Sequence, residues 1–147
     1  MVGEVRRYLN CSPGQVILDC TLGEGGHAFH LLPQISPGGR LVGIDRDGEV
    51  LKIARRNLRF FKNQVYIEQA NFVNLREVVA RLDLQRVDSI LFDLGVSYFQ
   101  LQTARRGFSF QTDGPLDMRM DLRQEGTAAE LVNRLSAKKL EAIIRNY

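Results

Sequence analysis

The stretch LDCTLGEGGH, residues 18–27, decides the fold. It begins inside an apolar run, QVILDCT (15–21), and ends on Gly23, Gly25 and Gly26 followed by His27. A strand that empties into glycines is a strand whose end approaches something closely. Glycine turns the backbone where other residues are strained and leaves room beside it for a ligand. Gly23, Gly25 and Ala28 satisfy the pattern GxGxxG/A after a strand, and Asp45 lies about the 20 residues further on that a ribose-binding carboxylate requires.

Outward from this stretch, strand-like and helix-like segments alternate. RLVGIDRD (40–47), QVYIEQ (64–69) and VDSILFDLG (87–95) are the further strands. Between them the spacing predicts helices over 26–33, 47–60 and 72–83. The second carries Val50, Ala54 and Leu58 inward, with Lys52, Arg55, Arg56 and Arg59 on its other face. That charge run reads first as a solvated surface. The third helix turns Leu75, Val78, Val79 and Leu82 inward. Strands apolar on both faces that alternate with helices make an α/β fold, a parallel sheet covered by helices. Ligands bind such sheets at the carboxyl ends of the strands. Gly23 to His27, Asp45, Phe72 and Asp93 all fall there. After the fourth strand the alternation stops. Residues 97–126 read as a long ordered loop, and Thr127 and Ser136 cap two final helices, AAELVNRL and AKKLEAIIRNY.

Size and composition narrow the options. A chain of 147 residues is one domain's worth of sequence, and its net charge of +3 permits a nucleic-acid partner without demanding one. No apolar run is long enough for a membrane helix, and MVGEVRRYLN lacks the apolar centre of a signal peptide. Cys11 and Cys20 do not have metal-site spacing, so no metal is expected, and the thiols fit a reducing, cytoplasmic setting.

The glycine loop alone admits a nicotinamide or flavin dinucleotide, S-adenosylmethionine, or a tight turn with no ligand. Charge favours the second. A dinucleotide presents a pyrophosphate to the helix amino terminus, where Glu24 repels it. S-adenosylmethionine carries an ammonium and a sulfonium, which suit Asp19, Glu24 and Asp93 around one pocket. Asp93 can also hold the N–H of an aromatic amine and localise its lone pair for attack on a methyl group; the alternative is an aspartate that caps the next turn.

Five segments, LDCTLGEGGH, GIDRD, ILFDLGVS, RGFSF and DGPLDMRMD, resemble in order and spacing the bacterial 16S ribosomal RNA (cytosine-N4) methyltransferases. The resemblance runs from Val2 to Tyr147. It implies a Rossmann-like class I methyltransferase sheet, S-adenosylmethionine as cofactor, and a cytidine amine of the small ribosomal subunit RNA as substrate. It places cofactor contacts on Gly25, Gly26, His27, Asp45, Phe72, Asp93 and Gln100. Catalysis is expected at Asp93, with Asp117 second. The 105–121 loop becomes a substrate surface. Arg105 and Arg106 meet phosphates there, Phe108 and Phe110 stack on bases, and Asp117, Arg119 and Asp121 line the base pocket. The other reading of this loop has its phenylalanines packed and its charges paired among themselves.

The resemblance covers the amino-terminal half of the family's pattern. Residues 1–126 are then a partial cofactor-binding core, incomplete at its carboxy-terminal side, and 127–147 the start of an inserted helical domain. The chain is expected to bind cofactor, to transfer methyl groups weakly or not at all, and to associate with itself through the fourth strand, left at an edge. Two further functions stay open, a nicotinamide-dependent oxidoreductase and a non-catalytic RNA-binding remnant.

Overall fold

A computed structural model describes residues 2–146; the carboxy-terminal Tyr147 of the predicted last helix lies outside them. The chain divides into two compact units, one ending at Gly95 and one beginning at Val96. This division comes earlier than the 126/127 boundary read from the sequence.

The first unit is a parallel sheet. Its strands are β1 (Val16–Asp19), β2 (Arg40–Asp45), β3 (Val65–Gln69) and β4 (Ser89–Leu91), in the order β3-β2-β1-β4. Ile17 pairs with Leu41 and with Ser89, which puts β1 at the centre and β4 at an edge. Successive side chains point to opposite faces, so β1 and β2 feed two cores at once. On one face Ile17, Leu41 and Leu91 pack against α2 (Gly26–Ile35) and α3 (Gly48–Asn57) through Ala28, Leu31, Leu32, Ile35, Leu51, Ala54 and Leu58. Val5 and Leu9 of α1 (Val2–Leu9) close the same core. On the other face Leu18, Cys20, Val42 and Ile44 meet Val78 of α4 (Leu75–Arg81), with Leu75, Val79 and Leu82 half-buried beside it. Full burial of each such aliphatic side chain is worth about 2 kcal/mol. Cover runs out along β4, where Ile90 and Phe92 remain 46% and 47% exposed.

The predicted helices and strands are present with shifted ends. Helix α2 runs past Pro33 to Ile35, because Ile35 is a fully buried core residue. The helix expected over 72–83 starts as a 3-10 turn at Phe72–Asn74, with the Asn71 side chain accepting from Val73 N, and only then becomes α4. The fourth strand is shorter than VDSILFDLG. Its ladder continues through Cys20 N to Leu91 O, and then the Thr21 hydroxyl oxygen accepts from Asp93 N at 2.7 Å. A side chain thus ends the pairing and turns Asp93 out of the sheet.

The second unit holds α5 (Tyr98–Gln102), a 3-10 turn at Ala104–Arg106, α6 (Ala128–Arg134) and α7 (Ala137–Asn146). Helix α5 stands where the sequence reading placed loop. Ser97 and Gln100 form a reciprocal capping box that starts it.

Candidate functional site

The glycine loop is fixed from several sides. Gly23 N donates to Asp45 Oδ2 at 2.8 Å, Leu22 N to Ile44 O at 3.0 Å, and Asn57 Nδ2 to Glu24 O at 2.9 Å. Asp45 Oδ1 accepts from Asp47 N at 2.9 Å. The carboxylate read as a ribose holder is therefore also the clamp of the glycine loop. A carboxylate has about four acceptor positions, so the three backbone amides that reach Asp45, those of Gly23, Arg46 and Asp47, leave capacity for a hydroxyl.

The two predicted contact glycines do different work. Gly25 is left-handed at φ 85°, and a Cβ there would lie 3.0 Å from Leu58 Cδ1. It is glycine so that the loop can turn and seat on α3. A Cβ on Gly26 would meet nothing within 4 Å. No protein neighbour therefore requires glycine at 26, at the first turn of α2.

Three carboxylates share this end of the sheet. Asp19 is 1% exposed, and its Oδ1 accepts from Thr21 N at 3.2 Å. Burial pushes its carboxyl up to about 7; the Thr21 amide opposes this, and the charges of Asp45 and Asp93 add to it. Burial likewise raises Asp45, against the pull of the Asp47 and Gly23 amides. A site whose buried acids repel one another is short of positive charge. It fits a cationic ligand such as S-adenosylmethionine and opposes a pyrophosphate.

His27 and Asp93 come together, with Nε2 and Oδ2 3.2 Å apart. Since a carboxylate only accepts, the neutral imidazole carries its proton on Nε2 and donates it to Asp93. Nδ1 is buried and has no partner among the described residues. Phe72 and Phe92 meet edge to face, with centroids 5.6 Å apart and planes at 86°. Both rings are partly exposed, so they form an aromatic corner. Sequence reading named Phe72 and missed Phe92, although strand alternation from buried Leu91 already puts it on the opposite face. A cavity of about 190 Å³ lined by Arg40, Gln64, Tyr66 and Leu84 lies at the opposite, amino-terminal ends of β2 and β3 and contains none of these residues.

The second unit carries the remaining predicted residues, and several have structural work. Gln100 is buried, and its Oε1 accepts from Ser97 N at 2.9 Å to cap α5. Arg106, expected to meet phosphates, is 1% exposed and donates to the carbonyls of Arg119 (2.7 Å) and Met120 (3.2 Å). Its guanidinium staples the loop, which corrects the phosphate role. Arg105 is exposed. Asp117 accepts two guanidinium hydrogen bonds from Arg119, at 2.9 and 2.8 Å. Those bonds hold its carboxyl below the usual range, which makes Asp117 a weak base and argues against it as the second catalytic residue. Asp121 pairs with Arg123 in the same way. Of the alternative reading of this loop, the charge pairing is seen at Asp117–Arg119 and Asp121–Arg123, and the packing of both phenylalanines is not. Phe108 is half-buried near the Arg106 guanidinium, whereas Phe110 is 99% exposed and suited to stacking. Gly107 sits at φ 70°, and a Cβ there would strike the Pro115 carbonyl; one on Gly114 would strike that of Ala104. These close approaches explain the glycines of RGFSF and DGPLDMRMD.

Among the described residues no three His, Cys, Asp or Glu side chains are grouped to hold a metal, and no helix is long and apolar enough to cross a membrane.

The strand order, the glycine loop and the acidic strand ends define a Rossmann-like methyltransferase fold. Two solved structures share it: an rRNA methylase from Streptococcus thermophilus (TM-score 0.53, 16% identity, 63% of this chain and 53% of that one) and a protein described as an rRNA methylase from Clostridium thermocellum (TM-score 0.58, 19%, 65% and 52%). The model of the MraW methylase family matches residues 1–147, and the chain belongs to that family. It is 51% identical over 147 residues to the ribosomal RNA small subunit methyltransferase H of Syntrophotalea carbinolica, covering all of this chain and 47% of that protein. The corresponding Thermotoga neapolitana protein is 46% identical over 147 residues, with 49% of its length covered. The chain thus spans about half the length of the curated relatives it matches. S-adenosylmethionine is the cofactor that membership in a methylase family supports, and the oxidoreductase reading is not favoured.

Proposed function

We propose that the chain is the cofactor-binding part of a cytoplasmic methyltransferase that modifies the exocyclic N4 amine of a cytidine in small-subunit 16S ribosomal RNA. The observation that carries the reading is the His27–Asp93 pair at the carboxyl ends of β1 and β4. When bound, the cofactor supplies a methyl group on a cationic sulfur. Transfer of that methyl group to the lone pair of the amine nitrogen would leave the sulfur as a neutral thioether and the nitrogen with a proton to lose. Asp93 accepts the amine N–H in this step and takes its proton. His27 holds the Asp93 carboxylate from Nε2, so its free acceptor positions face outward. Phe72 and Phe92 give a flat ring an apolar wall. Asp45, Gly26, His27 and Asp93 hold the cofactor, and exposed Phe110 and Arg105 serve the RNA. Within the second unit Gln100 caps α5 and Arg119 holds Asp117.

In this reading the chain by itself binds cofactor and turns over weakly, and β4, an edge strand with Ile90 exposed and Phe92 exposed just after it, makes it self-associate.

The test is methyl transfer to small-subunit RNA by this chain supplemented with the carboxy-terminal half of the Syntrophotalea carbinolica relative. Asp93→Asn should lower transfer by about 10²–10⁴-fold, a larger loss than the weakening of cofactor binding that follows from removing its charge. Modified RNA should yield N4-methylcytidine on digestion and mass analysis. A methyl group on any other atom, or full activity of Asp93→Asn, refutes the assignment.

A further inference from the structure

We propose that the outer face of α3 and the turn after it form an RNA-docking surface separate from the Asp93 site. From Val50 to Gln64 the sequence carries Lys52, Arg55, Arg56, Arg59 and Lys62 and no Asp or Glu. All five cations are exposed. At about 100° per residue, Lys52, Arg55 and Arg56 of α3 fall within an arc of about 100°, and Arg59 opens the 3-10 turn Arg59–Phe61 that follows. The buried face of the same helix, Val50, Leu51 and Ala54, points the other way, toward the core on which Gly25 seats.

These charges lack partners of opposite sign. Lys52, Arg56 and Lys62 make no ion pair with any described residue. Among the described residues the Arg55 guanidinium hydrogen-bonds the Ile67 carbonyl (3.2 Å) and that of Arg59 the Arg56 carbonyl (3.1 Å), and neither meets a carboxylate. Elsewhere the chain pairs its arginines with carboxylates, as at Arg81–Glu68, Arg119–Asp117 and Arg123–Asp121. The α3 stripe makes no ion pair among the described residues, and Glu49 in the first turn is the single acid of that helix, so the field is net cationic and a polyanion complements it.

An aromatic platform adds a second requirement. Phe60 is 76% exposed, and the Arg59 guanidinium lies 4.2 Å from its ring centroid. The stacked pair offers a flat, charged surface on which an unpaired base can lie. Phosphates along the stripe and a base on Phe60 describe a single-stranded or looped RNA. An acidic peptide supplies the charge without the flat ring. The family reading enters only in naming RNA as this polyanion.

The experiment uses the intact chain and a short fluorescent single-stranded oligoribonucleotide, titrated by anisotropy at several salt concentrations. Lys52→Gln/Arg56→Gln should weaken binding at least about tenfold at low salt and flatten the plot of log affinity against log salt by about 1.4, two phosphates' worth. Phe60→Ala should weaken binding about fivefold or more with the salt slope unchanged. Arg6→Gln/Arg7→Gln removes the same charge from exposed α1 and should alter affinity less than about threefold. Thermal melts and S-adenosylmethionine titration of each variant report folding and the first site. Loss of cofactor binding by the wild type would strike the methyltransferase reading. Retained cofactor binding with no RNA affinity, with equal losses in the α1 and α3 variants, or with binding to anionic phospholipid vesicles alone would overturn the docking surface.

Discussion

Replacing Asp19 by Asn keeps the side chain's shape and its acceptor for the Thr21 amide but removes a charge from the interior of the site. An aspartate in the unfolded chain titrates near 3.9; burial in the fold moves Asp19 to about 7. Its folded-state pKa is raised, so ionised Asp19 destabilises the fold. The penalty is absent below the unfolded value, grows as pH rises from about 4 to 7, and is constant above that. The full shift corresponds to about 4 kcal/mol at pH 8, of which about 1–2 kcal/mol is already present at pH 5. Asp19→Asn should therefore raise unfolding free energy by about 2–3 kcal/mol more at pH 8 than at pH 5. Taking the difference between the two pH values removes any fixed cost of the buried amide. Urea denaturation of both proteins at both pH values measures it. The same substitution should weaken S-adenosylmethionine binding, tenfold for each unit by which the bound cation would have lowered the Asp19 pKa. A stability difference that does not change with pH would show that Asp19 is not the buried, strained acid described.

Asp45→Ala releases the amides of Gly23 and Asp47 and removes the ribose acceptor; it should cost at least about 2 kcal/mol of cofactor binding, measured by calorimetric titration. The exposed β4 edge should make the apparent mass rise with concentration in light scattering, and Ile90→Lys should suppress that rise. A constant monomer mass at high concentration would count against an adhesive edge.

The sheet was legible because its signals agree. QVILDCT and RLVGIDRD are apolar on both faces, which only a doubly covered sheet explains, and Leu18 and Ile17 do enter opposite cores. The clustering of Gly26, His27, Asp45, Phe72 and Asp93 followed from the strand-end rule together with the family resemblance. Short elements were harder to read. Helix α1 offers only the short set Val2, Val5 and Leu9 at helical spacing, and α5 is five residues long; its Ser97–Gln100 capping box was the readable signal. Side-chain partners were least legible. Arginine beside phenylalanine in RRGFSF reads as an RNA surface, yet Arg106 turns inward because the carbonyls of Arg119 and Met120 converge on it. The Asp117–Arg119 pair depends on the turn between them, and sequence spacing alone does not show it.

The most direct test of the central claim is calorimetric titration of the chain with S-adenosylmethionine, with NADH as the comparison. Saturable heat with S-adenosylmethionine and none with NADH is the predicted result, because the loop between Asp19 and His27 is built for a cation. Saturable binding of NADH without S-adenosylmethionine would contradict it.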